Sequence, residues 1–131
     1  MSNMFQEVLD RIIETAKRDE QVLAILLFGS AARGEGSATS DLDVCLVLEP
    51  NGYTPLDLSE KKLEYLAAFD ADIQVFQQLP IYLKQRVLRD GEVLFCRDED
   101  TLYQLAFDVI REYSDYEHIY REYLVEVANV R

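Results

Sequence analysis

FGSAARGEGSATSDLDV, residues 28 to 44, closes one apolar run and opens another. Before it stands VLAILLF (22–28), and DVCLVLE (43–49) follows at its end. Runs that are apolar on both faces predict strands covered on both faces. The segment between them is rich in Gly, Ser, Ala and Thr and predicts a loop with one short helical turn starting at Ser30. Asp41 and Asp43 stand one residue apart at the mouth of the second strand. Side chains alternate along a strand, so both carboxylates point the same way, with Cβ atoms about 6.5–7 Å apart. Two like charges beside an apolar strand repel each other and resist desolvation. A multivalent cation removes both penalties. Paired divalent ions about 3.5–4 Å apart, bridged by such carboxylates, are a recurring device for moving phosphoryl and nucleotidyl groups.

Gly29-Ser30 supplies the other half of a site. A strand that ends in Gly, followed by Ser at a helical turn, presents backbone N–H groups and a hydroxyl to an anion. Gly allows close approach to the backbone. Arg33 and Gly34 extend this phosphate seat, Arg33 through bidentate reach to a phosphate oxygen. A third acid is expected from a neighbouring strand. Asp72 opens the run ADIQVF (71–76) and shares a face with Gln74 and Phe76. Asp70 is the competing choice, but it falls in the approach to that strand. Alone, the Gly-Ser pair is a turn and the two acids a solvated strand entry; together they point to a nucleotide site.

Outward from this centre the chain alternates helix and strand signals. Phe5, Val8, Leu9, Ile12, Ile13 and Ala16 recur at helical spacing from Met4 to about Lys17. NGYTP (51–55) is turn chemistry, and a helix is expected from about Leu58 to Phe69 with Leu58, Leu63, Leu66 and Ala67 inward. After Pro80 a short helix runs through Leu88. Gly91 serves as its cap or as a turn before a strand at EVLFC (92–96), and a long helix covers about 99–127. The fold class is α+β, with a small mixed sheet flanked by helices. Residues 1–131 form one domain, with a core over about 20–97 and the C-terminal helix beyond it.

The chain carries 25 Asp and Glu against 13 Lys and Arg, a net charge of −12. That excess disfavours direct nucleic-acid binding and anionic membranes, and it favours cationic partners. Cys45 and Cys96 sit in apolar stretches and read as reduced, buried small hydrophobes. The opening residues do not read as a leader, and no apolar run approaches the roughly 20 residues of a membrane span. A cytoplasmic protein is expected.

The Gly29-Ser30 pair, ten residues, then DLD (41–43) resembles the signature of the DNA polymerase β-like nucleotidyltransferases. With ADIQVF and RVLRDGEVLF added, the chain is similar to their minimal nucleotidyltransferase (MNT) group over roughly residues 20 to 97. The resemblance implies that Asp41 and Asp43 are metal ligands and that Gly29 and Ser30 hold the triphosphate. It makes Asp72 the third carboxylate and the activator of the acceptor hydroxyl. Mg²⁺, with two ions when nucleotide is bound, suits hard oxygen donors. MNT proteins commonly act as antitoxins, which implies transfer of AMP from ATP to a HEPN toxin, on a tyrosine. Two alternatives stand beside that reading: a small-molecule, aminoglycoside-like nucleotidyltransferase, and an antitoxin that neutralises by binding alone.

The C-terminal helix is the candidate dock. Leu102, Ala106, Val109, Tyr113, Tyr116, Tyr120, Tyr123 and Val127 are spaced alternately four and three apart, a heptad-type seam. Between residues 98 and 126 nine acids face only Arg111 and Arg121, an excess of seven negative charges. One reading packs this helix on its own core with an acidic face to solvent. The other brings its tyrosines to a basic partner, with oligomers, homo- or hetero-, formed through the helix. Arg111, His118 and Tyr120 echo the Arg–His motif of HEPN ribonucleases only superficially. His118 is expected on the surface or in an interface.

Overall fold

The computed structural model describes residues 3–29 and 42–129. Among the described residues nine elements follow in order: α1 (Asn3–Arg18), β1 (Val22–Phe28), β2 (Asp43–Leu48), α2 (Pro55–Ala68), β3 (Asp72–Val75), a 3₁₀ turn (Phe76–Gln78), α3 (Ile81–Asp90), β4 (Glu92–Cys96) and α4 (Glu99–Asn129). The four strands form one sheet in the order β3-β2-β1-β4. β1 runs antiparallel to β2 and β4, whereas β2 and β3 are parallel. This is the mixed α+β architecture expected from the sequence.

The two apolar runs are the middle strands, and helices cover both faces of the sheet. Val22, Ile25 and Leu27 of β1, with Val44, Leu46 and Leu48 of β2, pack under α1 and α2 against Leu9, Ile12, Ala16, Tyr65 and Phe69. On the other face Leu23, Leu26, Cys45 and Val47 meet Phe76, Val87, Leu102 and Val109. Burial between two helical layers is why these runs lack the polar alternation of a half-wet strand. Cys45 is buried and Cys96 half-buried, both unpaired; burial pushes the Cys45 thiol up to about 12.

α2 begins three residues earlier than the apolar pattern suggested, because Thr54 caps it. Asp57 N–H donates to Thr54 Oγ1 at 3.1 Å, and Thr54 N–H donates to Asp57 Oδ2 at 3.0 Å, with Pro55 in the first turn. Such a reciprocal cap satisfies two orphan donors. The inward face of α2 also differs from expectation. Leu63 is 64% exposed and Leu66 37%, and Ala67 is exposed as well. The buried positions are Tyr65 and, just past the helix, Phe69, with Leu58 packed beside them. The two rings pack at 6.0 Å, and Tyr65 Oη donates to Asp19 Oδ2 at 3.0 Å. Aromatic burial anchored by a hydrogen bond outweighs the leucines, which turn outward.

β3 ends at Val75, one residue short of the expected Phe76. The chain turns there, and Gln77 replaces a strand neighbour with its side chain: Nε2 donates to Leu48 O at 2.8 Å, and Oε1 accepts from Leu48 N–H at 3.2 Å. At the same end of the sheet Arg97 donates to Val22 O, Ala16 O, Lys17 O and Asp19 O at 2.7–3.2 Å. One guanidinium thus satisfies the C-terminal carbonyls of α1 and holds the turn into β1.

α4 divides where its burial stops. Leu102 and Val109 are buried, and no later residue of the helix is. The proximal seam therefore packs on the sheet, while residues 110–129 extend beyond it, about 30 Å at the helical rise. His118 lies exposed and pairs with Glu122 at 3.1 Å, which matches its expected surface position.

Candidate active site

Three strand ends meet at one edge of the sheet. Phe28, the last residue of β1, pairs with Asp43, the first of β2. Asp43 in turn pairs with Asp72, the first of β3. Neighbouring strands lie about 4.8 Å apart, and residues in register share a face, so the two carboxylates are closer neighbours than a same-strand pair. Their face is set by alternation. Val44 and Ile73 belong to the α1/α2 cluster, whereas Cys45 and Phe76 belong to the α3/α4 cluster. Asp43 and Asp72 consequently face α3.

Gly29 follows at once with φ +81°, a left-handed conformation that costs other residues strain. A Cβ there would collide with Asp43 Oδ2 and stand 3.1 Å from Asp43 Cγ. The backbone at Gly29 and the Asp43 carboxylate thus lie against each other, an approach only glycine permits. Asp72 is exposed and accepts from Gln74 Nε2 at 3.3 Å. Lys62 Nζ donates to Gln74 Oε1 at 3.4 Å. Asp70 is exposed in the bend before β3 and outside the paired strand.

A cleft of about 370 Å³ opens beside these residues. Phe28, Gly29, Asp72 and Gln74 line it from the sheet, and Leu83, Arg86, Val87 and Asp90 from α3. A larger cavity, about 660 Å³, involves Gln21, Leu48, Lys61 and Glu64 at the opposite end of the sheet. Chemistry rather than size selects the smaller one, because the in-register acids and the left-handed glycine stand beside it.

Ser30, Arg33, Gly34 and Asp41 lie outside the described residues. Of the expected set, Gly29, Asp43 and Asp72 are brought together. Among the described residues no three Asp, Glu, His or Cys side chains converge as a metal-holding group. The α3 wall was not anticipated. Nothing in the local pattern of IYLKQRVLRD marks Arg86, which reaches the cleft only because Val87 packs α3 onto the sheet.

Strand ends carrying paired acids beside a glycine turn, on a sheet of this topology, define a nucleotidyltransferase core. The family pattern described as Polymerase beta, Nucleotidyltransferase matches residues 10–100. A Methanocaldococcus jannaschii protein, provisionally named a protein adenylyltransferase, is 33% identical over 103 residues, 78% of each chain. Two solved structures share the fold. One, a toxin-antitoxin with AMP-PNP, aligns with TM-score 0.67 at 22% identity over 92% of this chain and 98% of the other. The second, a tri-AMPylated Shewanella oneidensis HEPN toxin in complex with MNT antitoxin, aligns with TM-score 0.65 at 20% identity over 94% and 98%. The chain belongs to the polymerase β nucleotidyltransferase family, and it is a nucleotidyltransferase.

Proposed function

We propose that this protein transfers AMP from ATP, with Mg²⁺, to a tyrosine hydroxyl of a HEPN-type toxin and so acts as its antitoxin. The observation that carries the reading is the convergence of Asp43 and Asp72 in register beside the left-handed Gly29, on an open cleft. The relative named as a protein adenylyltransferase and the toxin–antitoxin structures of the same fold support the choice of donor and acceptor.

The donor set fits magnesium. Hard carboxylate oxygens stand on one face at an open strand end, while the soft thiol on the neighbouring strand position, Cys45, is buried away from solvent. Asp41, Asp43 and Asp72 would hold up to two ions, which when bound would draw charge off the α-phosphate and the leaving pyrophosphate. Gly29 and Ser30, with Arg33, seat the triphosphate through backbone N–H groups and side chains. Asp72 takes the proton from the acceptor hydroxyl. The hydroxyl oxygen bonds to the α-phosphorus, the bond to the β-phosphate oxygen breaks, and pyrophosphate leaves.

The acceptor docks along distal α4. Tyr113 and Tyr116 pack at 6.4 Å, and Tyr116 and Tyr120 stack at 6.2 Å with ring planes 8° apart. Tyr120, Tyr123 and Val127 are at least half exposed. This aromatic ridge, flanked by the acids of residues 98 to 126, suits a basic partner. Mass spectrometry of the toxin after incubation with the protein, ATP and Mg²⁺ tests the whole proposal. The toxin should gain whole AMP units on tyrosine. No gain, with a small hydroxylated compound modified instead, would move the acceptor to that class.

A further inference from the structure

Arg86 is the only cationic side chain among the described residues that line the cleft beside Gly29 and Asp72. Leu83, Arg86, Val87 and Asp90 fall at steps of three, one and three on α3, one face of a helix. Val87 is buried and pins that face to the sheet, while Arg86 stays exposed beside it. The neighbour best placed to neutralise Arg86 is Asp90, one helical turn on. Asp90, however, accepts Arg89 Nε on Oδ1 at 3.0 Å and Arg89 Nη2 on Oδ2 at 3.1 Å. Among the described residues no carboxylate forms an ion pair with Arg86.

A guanidinium with no ion-pair partner among the described residues, in a cleft edged by acids, is placed for an anion brought by a ligand. The proposed nucleotide brings one: its triphosphate must approach Gly29 in a chain of net charge −12. We infer that Arg86 is a nucleotide-binding residue that grips the triphosphate oxygens from the α3 side of the cleft. The planar fork of arginine matches two phosphate oxygens at once, which a lysine ammonium does not. α3 then forms the wall of the phosphate seat across the cleft from Gly29. This inference rests on the proposed reaction for the identity of its ligand.

Calorimetry of Mg·ATP and of AMP with the wild type, Arg86→Gln and Arg86→Lys tests it without requiring turnover. Loss of charge-assisted hydrogen bonds should weaken ATP binding by Arg86→Gln about tenfold to a hundredfold. AMP binding should stay unchanged, and Arg86→Lys should fall between the two. Because Arg86 is exposed, the thermal midpoint should hold. Unchanged ATP affinity in Arg86→Gln overturns the inference, and so does an equal loss for AMP and ATP. A rise confined to KM for the acceptor protein also overturns it and assigns Arg86 to the acceptor. Wild-type protein that binds ATP through Arg86 yet transfers no AMP refutes the proposed function while leaving this residue's role standing.

Discussion

Asp43 carries two demands at once: it stands in register with Asp72, and its carboxylate lies against Gly29. Asp43→Asn keeps the shape and removes a charge. The transfer rate should fall by about a hundredfold or more, since the lost interaction acts on charge developing in the transition state. Unfolding by denaturant should show that the fold survives, because removing one of two in-register carboxylate charges relieves their repulsion. Wild-type turnover in this variant would dismiss Asp43 as a ligand. Gly29→Ala probes the other side of the same contact. A Cβ would meet the Asp43 carboxylate in a left-handed backbone, so the variant should lose about 1–3 kcal/mol of stability. The denaturation midpoint reads that loss directly.

At the scale of elements, a part-buried polar knot joins the α1–β1 turn to α2. Lys61 Nζ lies 2.8 Å from Asp19 Oδ2 and 3.0 Å from Glu64 Oε2, and Tyr65 donates to the same Asp19 oxygen. Burial raises the Asp19 carboxyl, but the hydrogen bonds from Lys61, Gln21 N–H and Tyr65 and the Lys61 charge outweigh it and leave it below its usual 3.8. Burial lowers Lys61, and the bonds and charges of Asp19 and Glu64 reverse this and leave it above 10.5. A depressed carboxyl contributes stability that is present above its unfolded value and lost as pH falls through its folded one. A raised ammonium contributes below 10.5 and loses that contribution as pH climbs past its folded value. Asp19→Asn should therefore flatten both the acid limb below about pH 4 and the alkaline limb above about pH 10.5. Thermal melts across pH would show it, and an unaltered acid limb would remove Asp19 from the account.

The whole molecule separates a covered catalytic body from a projecting arm. Tyr116→Ala with Tyr120→Ala removes two stacked rings from an exposed ridge, so the melting point should move little, within about 0.5 kcal/mol per site. Binding to a basic toxin partner should be lost, and modification with it. Intact binding by this double variant would place the dock elsewhere. Nucleotide binding offers a test that needs no partner: Mg²⁺ and ATP should bind together more tightly than either alone, because the triphosphate completes the ligand set. Tight Mg²⁺ binding without nucleotide, seen by calorimetry, would count against that arrangement. No helix among the described residues is long and apolar enough to cross a membrane.

Element order was legible in the chain because apolar runs and turn residues act locally. VLAILLF became β1 over the bounds read, and EVLFC became β4. Alternation alone puts Asp70, Asp72, Gln74 and Phe76 on one face; Asp72 is the choice because Asp70 falls in the approach, and β3 does begin at Asp72. Which side of an amphipathic helix is inward is a different kind of question. Leu63 and Leu66 look more apolar than Tyr65, yet the tyrosine is buried because Asp19, 46 residues away, meets its hydroxyl. Arg97 closing the α1 C-terminus and Arg86 at the cleft are of the same kind. Periodicity records how a segment divides between water and protein; which partner waits on the protein side is decided only when distant segments pack together.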